Sequence, residues 1–355
     1  MVFEPLFDGI DQYPVVVAGP CSAETERQVL DTAVALKRLG IEIFRAGIWK
    51  PRTRPGSFEG VGERGLDWLA LVRRETGMRV VTEVASREHV FKAFEAGIDG
   101  VWIGARTSAN PFAVQEIADS LEELAADIPV LIKNPVNPDL ALWIGAIERI
   151  YSSGTHRIAA VHRGFSSYVN GKYRNPPHWA LPIELSHRFP GLMLLHDPSH
   201  TSGNASMIER LCLEALDLCF SGLMIEVHPN PEKALSDAAQ QITPAKLGTI
   251  LKGLRDTLPS HCTDSRLSSL RSEIDELDAE LIKILVQRME LCRRIGKIKK
   301  ESDLPVVQPE RYARLLDEIL ANGVKKGLDP SVLKKIFSII HEYSVALQLG
   351  IKRDS

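Results

Sequence analysis

The chain has 355 residues, 44% hydrophobic and 25% charged, which is ordinary for a globular protein but long for a single core, so two domains are expected. Its 43 Lys and Arg against 46 Asp and Glu give a net charge of −3, which excludes the cationic excess of a general nucleic-acid binder. Five scattered cysteines and an amino terminus (MVFEPLFDGI) lacking a basic-then-apolar order point to a reduced, cytoplasmic protein, and no apolar stretch approaches the roughly 20 residues of a membrane span.

In chain order, the first 250 residues repeat one unit, a short apolar run followed by a polar turn and a segment of helical periodicity. Eight runs recur: PVVVAG (14–19), EIFRAG (42–47), RVVTEV (79–84), GVWIGA (100–105), PVLIKN (129–134), IAAVHR (158–163), LMLLHD (192–197) and LMIEVH (223–228). Apolar runs without alternation suit strands buried on both faces, and long helical connections suit parallel neighbours. The fold class is therefore α/β, and residues 1–254 are expected to form a (β/α)8 barrel. A barrel that starts almost at residue 1 is expected to carry no regulatory domain ahead of it.

Residues 255–263 (RDTLPSHCT) read as a connector, because Pro259 and its polar neighbours interrupt both periodicities. Residues 264–355 read as an all-α domain of three helices, over 264–301, 309–321 and 329–349. Along the first helix Leu267, Leu270, Ile274, Leu277, Leu281, Ile284, Leu291, Ile295 and Ile298 keep spacings of three and four, with Arg288 in the one vacant slot. A helix about 55 Å long does not fold back into a compact monomer, so a homodimer through this domain is expected.

In a parallel barrel, side chains at the carboxyl ends of the strands converge on one mouth. The cations there are Arg45, Lys50, Arg52, Arg106, Lys133 and Arg163, a mutually repulsive set unless an anionic, phosphorylated ligand offsets it. Cys21, His200, Glu226 and Asp237 form a second set, whose sulfur, nitrogen and oxygen donors suit a divalent transition metal better than magnesium: manganese, iron, zinc or cobalt. Taken singly each of these four reads as packing or a loop hydrogen bond, and their convergence is what favours a metal site. Glu83 reads as a partner for one of the cations, and Asp197 and His228 remain open between structural and site roles.

The motifs GPCS (19–22), FRAGIWKPRT (44–53), TEV (82–84), IGARTSANP (103–111), IKN (132–134), HRG (162–164), DPSHTSGN (197–204) and IEVHPNPEKALSD (225–237), with Gln240 after them, resemble the type I 3-deoxy-D-arabino-heptulosonate 7-phosphate (DAHP) synthases. The resemblance implies condensation of phosphoenolpyruvate with erythrose 4-phosphate at the entry to the shikimate route. It makes Cys21, His200, Glu226 and Asp237 the metal ligands, with Arg45, Lys50, Arg106, Lys133 and Arg163 on phosphoenolpyruvate and Arg52 and Thr53 on the erythrose phosphate. Lys50 is the expected proton donor or acceptor, and surrounding cations are expected to make its ammonium lose a proton more readily. The alternative is the sister synthase of 3-deoxy-D-manno-octulosonate 8-phosphate, which uses arabinose 5-phosphate. That family typically departs from Pro-Arg-Thr at residues 51–53, and its metal-free branch has asparagine where Cys21 stands. His162 occupies a position where the synthase motif more often has Glu.

In the helical region Arg288 on an apolar seam calls for an anion, and Lys299, eleven residues on, lies about 20° around the same helix face. Arg271 points about 100° away, toward another helix or chain. Ser344 and Gln348 add uncharged hydrogen-bonding groups beside an apolar stripe. SLRSEIDELDAELIKILVQRMELCRRIGKIKK (269–300), PVVQPERY (305–312) and IIHEYSVALQ (339–348) resemble the all-helical chorismate mutases. The resemblance makes Arg271, Arg288, Lys299, Arg311, Ser344 and Gln348 the site for chorismate, with Arg271 serving the opposite subunit, and implies rearrangement to prephenate without a metal. Gln308 and Tyr312 stand where that family frequently has Asp and Glu. The combined expectation is a bifunctional enzyme whose mutase domain supplies feedback control by prephenate. Its rival is an octulosonate-type barrel with a helical module that dimerises and senses ligand without catalysing.

Overall fold

The computed structural model describes residues 1–50, 56, 58–125, 127–168, 171–257 and 265–353, the side chains of 257 and 265–269 excepted. The chain divides into two compact units, Met1–Leu258 and Pro259–Ser355. In the first, β1 (Val15–Gly19), β2 (Ile43–Arg45), β3 (Arg79–Val84), β4 (Gly100–Ile103), β5 (Val130–Lys133), β6 (Ile158–His162), β7 (Met193–His196) and β8 (Gly222–Glu226) close a parallel barrel in chain order. The helices over this barrel are α1 (Glu26–Arg38), α2 (Arg64–Thr76), α3 (Arg87–Glu95), α4 (Pro111–Glu123), α5 (Leu140–Ser152), α6 (Ala180–Arg188), α7 (Pro198–Ser202), α8 (Ile208–Asp217) and α9 (Pro244–Thr257). Residues 255–257, read from sequence as connector, complete the last turn of α9, because Leu247, Ile250, Leu251 and Leu254 keep one face of that helix in the core to its end.

Alternation along the strands sorts the core into two layers. One residue set faces the helices: Val16, Phe44, Val80, Val101, Ile132, Ala160, Leu194 and Ile225. Its neighbours Val17, Ile43, Val81, Trp102, Leu131, Val161, Leu195 and Met224 fill the barrel interior, where Leu6 and Phe7 of the amino-terminal segment join them. Arg157 fixes that segment by binding Pro5 O at 3.0 Å and the Asp8 carboxylate at 3.0 Å.

The same alternation places Arg45, Glu83, Lys133, Arg163, Asp197 and Glu226 on the inward rows, one layer above the apolar filling, and sends His162 and His196 outward. His162 is thus no part of the mouth. Its Nε2–H donates to Pro177 O at 2.7 Å, leaving Nδ1 to accept from His196 Nδ1–H at 3.1 Å among Phe165, Trp179 and Phe220. Burial holds His162 well below the ordinary imidazole value and His196 down at about 4.

In the second unit α10 (Ser265–Glu301), α11 (Pro309–Lys325) and α12 (Pro330–Arg353) form three helices, the last two each about a turn longer than the sequence implies. Asp329 accepts the N–H groups of Ser331 and Val332 and starts α12. No helix among the described residues is long and apolar enough to cross a membrane.

Since His196 takes a proton at about 4 folded and near 6.5 unfolded, its contribution is complete above pH 6.5 and is lost as pH falls toward 4, by roughly 3 kcal/mol. All five tryptophans lie in the barrel and report its unfolding. The urea midpoint followed by their fluorescence should drop between about pH 7 and about pH 4.5, and drop less in His196→Gln; equal drops would contradict the assignment.

Candidate active site

The barrel mouth is built from strand ends. Gly19 lets β1 approach the Arg45 backbone, since a Cβ there would stand 2.0 Å from Arg45 O, and Gly104 does the same for Glu83, whose Oε1 lies 2.1 Å from where a Cβ would be. Arg45, Lys50, Glu83, Arg106, Lys133, Arg163, His200 and Asp237 line one pocket. Five of the six cations expected at the mouth are therefore together; Arg52 and Thr53 lie outside the described residues.

Arg45 is buried with its guanidinium 4.7 Å over the Trp102 ring and Nη2 3.3 Å from Glu226 Oε1, while its Nε and Nη1 have no hydrogen-bond partner among the described residues. Two orphaned nitrogens on a buried cation are an unmet demand for an anion. Burial also pulls Arg163 down to about 10, with Arg174 and Arg106 adding to the fall, and pulls Lys133 below its ordinary value against the opposing Asp197. Lys50 departs from expectation. Burial acts to lower it, but Cys21, Glu83 and Glu226 outweigh both burial and the cation Arg45, so its pKa is raised. With the Cys21 thiol itself held protonated, the two carboxylates are the charges that keep Lys50 an ammonium at neutral pH.

Ligand atoms of Cys21, Glu226 and Asp237 lie within 4.8 Å of one another. His200 Nε2 stands beside them, 3.7 Å from Glu226 Oε1. Cys21 Sγ accepts from Lys50 Nζ at 3.1 Å and lies 3.3 Å from Asp237 Oδ2. Burial, together with Glu226 and Asp237, pushes the thiol up to about 12. A buried thiol, an imidazole and two carboxylates directed at one another are unfavourable company without a shared cation, and the sulfur–nitrogen–oxygen set fits a borderline transition ion. Arg174, which no strand-end reading selects, donates through Nη1 to Asp237 Oδ1 at 3.0 Å and to Gln240 Oε1 at 2.7 Å, and Gln240 Nε2 donates to Glu226 Oε2 at 2.7 Å. Its position eleven residues beyond Arg163 in an irregular loop gives it no periodic signal.

In the helical unit Arg288 Nη1 donates to Ser344 Oγ at 2.7 Å, and Lys299 Nζ to Val306 O at 2.6 Å. Gln348 is buried, and its Oε1 has no partner among the described residues. Tyr312 stacks on His341 at 3.8 Å, and burial, Arg288 and Lys299 hold that imidazole below its ordinary value. Arg311 and Arg271 are exposed. Arg271 lies about 25 Å along α10 from Arg288, beyond reach within one chain.

These features define a (β/α)8 enzyme scaffold with an anion-binding, metal-competent mouth, followed by a helical unit with its own cationic pocket. The chain belongs to the DAHP synthetase I family, whose model matches residues 3–259, and residues 270–349 match chorismate mutase type II. Phospho-2-dehydro-3-deoxyheptonate aldolase of Thermotoga maritima is 35% identical over 232 residues, 65% of each protein, so the match spans just under two thirds of that relative. A 2-dehydro-3-deoxyphosphooctonate aldolase of Acidithiobacillus ferrooxidans is 32% identical over 247 residues, covering 64% of this chain and 83% of its own. A crystal structure of the Thermotoga maritima DAHP synthase superposes with a TM-score of 0.65 at 30% identity, covering 72% of this chain and 73% of that one.

Cobalt(II) added to the protein should give a sulfur-to-cobalt charge-transfer band that Cys21→Ser abolishes, with binding weakened more than about tenfold. Because the ion must displace the thiol proton, binding should tighten as pH rises; a band retained in Cys21→Ser would contradict the cluster.

Proposed function

We propose that the protein is a bifunctional enzyme of the shikimate route: the barrel condenses phosphoenolpyruvate with erythrose 4-phosphate to DAHP, and the helical unit rearranges chorismate to prephenate. The observation that carries the first half is the meeting of five cations and a thiol–carboxylate cluster in one mouth, with Glu226 shared between them through Arg45. Arg45, Lys50, Arg106, Lys133 and Arg163 hold phosphoenolpyruvate, Arg52 and Thr53 receive the aldose phosphate, and Cys21, His200, Glu226 and Asp237 hold the ion. A bound divalent ion supplies Lewis-acid polarisation of the aldehyde, and manganese is the first choice, with iron, cobalt and zinc compatible with the same donors. The cations offset the repulsion between two phosphorylated substrates and orient them, and the apolar layer beneath excludes water. Lys50 holds its proton at Nζ beside Cys21 and is the proton donor. A reducing cytoplasm suits a thiol ligand.

In the helical unit Arg288, Arg311 and Ser344 bind the dicarboxylate, while Lys299 and Gln348 stabilise the breaking ether oxygen. The exposed stripe Leu270, Ile274, Leu277, Leu281, Ile284, Leu291, Ile295 and Ile298, each 45–64% exposed in the single chain, is the surface a second copy covers in a homodimer, and Arg271 then enters the partner's site. Prephenate bound there inhibits the barrel.

Offered erythrose 4-phosphate and arabinose 5-phosphate side by side, the protein should consume the first, lose activity on chelation and regain it with manganese; saturating prephenate should depress the rate. Preference for arabinose 5-phosphate would move the barrel to the octulosonate reading, and indifference to prephenate would remove the feedback.

Lys299→Ala should slow chorismate loss by at least about a hundredfold. Mixing inactive Arg271→Ala with inactive Lys299→Ala chains should restore activity in heterodimers that hold one intact site. A full-length protein that binds chorismate without consuming it would leave the helical unit a sensor.

A further inference from the structure

Asp197 is fully buried and belongs neither to the cluster around Cys21 nor to the pocket lining, yet it touches two lining residues, Lys133 and His200, the second of which stands beside that cluster. Its Oδ2 accepts from Lys133 Nζ at 2.7 Å and from His200 Nδ1 at 2.7 Å, while Oδ1 accepts the His200 backbone N–H at 3.0 Å. Its own N–H donates to His162 O at 2.7 Å, which ties the carboxylate to the end of β6. With Nδ1–H donated to the Asp197 carboxylate, Nε2 of His200 carries the lone pair and stands 3.7 Å from Glu226 Oε1. Lys133, from the last inward position of β5, faces the mouth. One oxygen therefore serves two donors whose other duties differ.

We propose that Asp197 is a positioning residue for both halves of the barrel site, fixing the tautomer and ring direction of His200 for the ion and the ammonium of Lys133 for the anionic substrate. The inference rests on the reading of the barrel given above and adds a coupling to it. When a substrate anion draws Lys133 away, Oδ2 keeps more of its charge for the His200 N–H, and Nε2 becomes a better donor to the ion. The reverse holds by linkage, so ion and substrate tighten each other through one carboxylate.

The test uses full-length protein, wild type, Asp197→Asn and Asp197→Ala, with folding checked by tryptophan fluorescence. Cobalt(II) affinity without substrate is read by competition with a chromogenic chelator, and phosphoenolpyruvate affinity by calorimetry with and without the ion. Asp197→Ala should weaken cobalt about 10–100-fold and weaken phosphoenolpyruvate on the ion-free protein as well. Asp197→Asn, which keeps an acceptor oxygen without the charge, should recover part of the cobalt affinity. Wild type should bind phosphoenolpyruvate at least about fivefold tighter with the ion present, and Asp197→Asn should lose that gain. Folded variants with both affinities within about twofold of wild type overturn the proposal, as does a change confined to one ligand. Should Asp197→Ala fail to fold, Asp197→Asn alone decides through the loss or persistence of the gain. Wild-type protein that binds both ligands in this coupled way but condenses neither aldehyde would refute the synthase reading and leave Asp197 in its role.

Discussion

Eight short strands buried on both faces leave charge one place to go, the last inward position of each strand, where the apolar filling of the barrel ends. Everything at the mouth follows from that constraint. Below it the interior is closed by Trp102, Leu131, Val161, Leu195 and Met224; above it Arg45, Glu83, Lys133, Arg163, Asp197 and Glu226 meet because their strands do. Charges packed so closely must neutralise one another or a ligand, and they divide the task. Glu226 answers Arg45, Asp197 answers Lys133, and the surplus of positive charge is left for substrate.

The architecture was legible because its signals are periodic. Apolar runs marked all eight strands, and in the six runs that end in charge the residue at the strand end was by parity an inward one, which is why Arg45, Lys133, Arg163 and Glu226 were readable as site residues. His162 was legible as an anomaly but not as an outward residue until its register placed it with Ala160 and Ile158 on the helix side. Arg174 carried no such mark, since nothing in an irregular loop says which way a side chain turns. The direction for Lys50 failed for a related reason: counting cations in the sequence omitted Glu83 and Glu226, whose distance from Nζ only the fold sets.

The helical unit was legible in a different way. Its apolar stripe along α10 predicted a seam, and the single chain presents that stripe to solvent with Arg288 held by Ser344 from α12. Sequence spacing said that Arg271 points away from Arg288 and Lys299; the length of α10 says that it cannot return to them. A cation out of reach of its own pocket and an apolar face out of reach of its own core are one deficiency, which the proposed homodimer would remedy at both places.

The two units therefore solve the handling of anions by opposite means. The barrel closes on itself and brings cations from five strand ends and loops to one point, so its difficulty is excess charge, met with carboxylates and a metal-type cluster. Three helices cannot enclose a site alone, so their difficulty is scarcity: Arg288 and Lys299 each bond a neutral oxygen, of Ser344 and of Val306, and no carboxylate bonds either among the described residues. Cations left with only neutral oxygens keep their field for an anion, and a pocket of that kind, if it takes the dicarboxylate proposed for it, needs positive charge and shape but no metal. The absence of carboxylates at Gln308 and Tyr312 extends the same logic, leaving Tyr312 to stack on His341 beside an undiminished positive field.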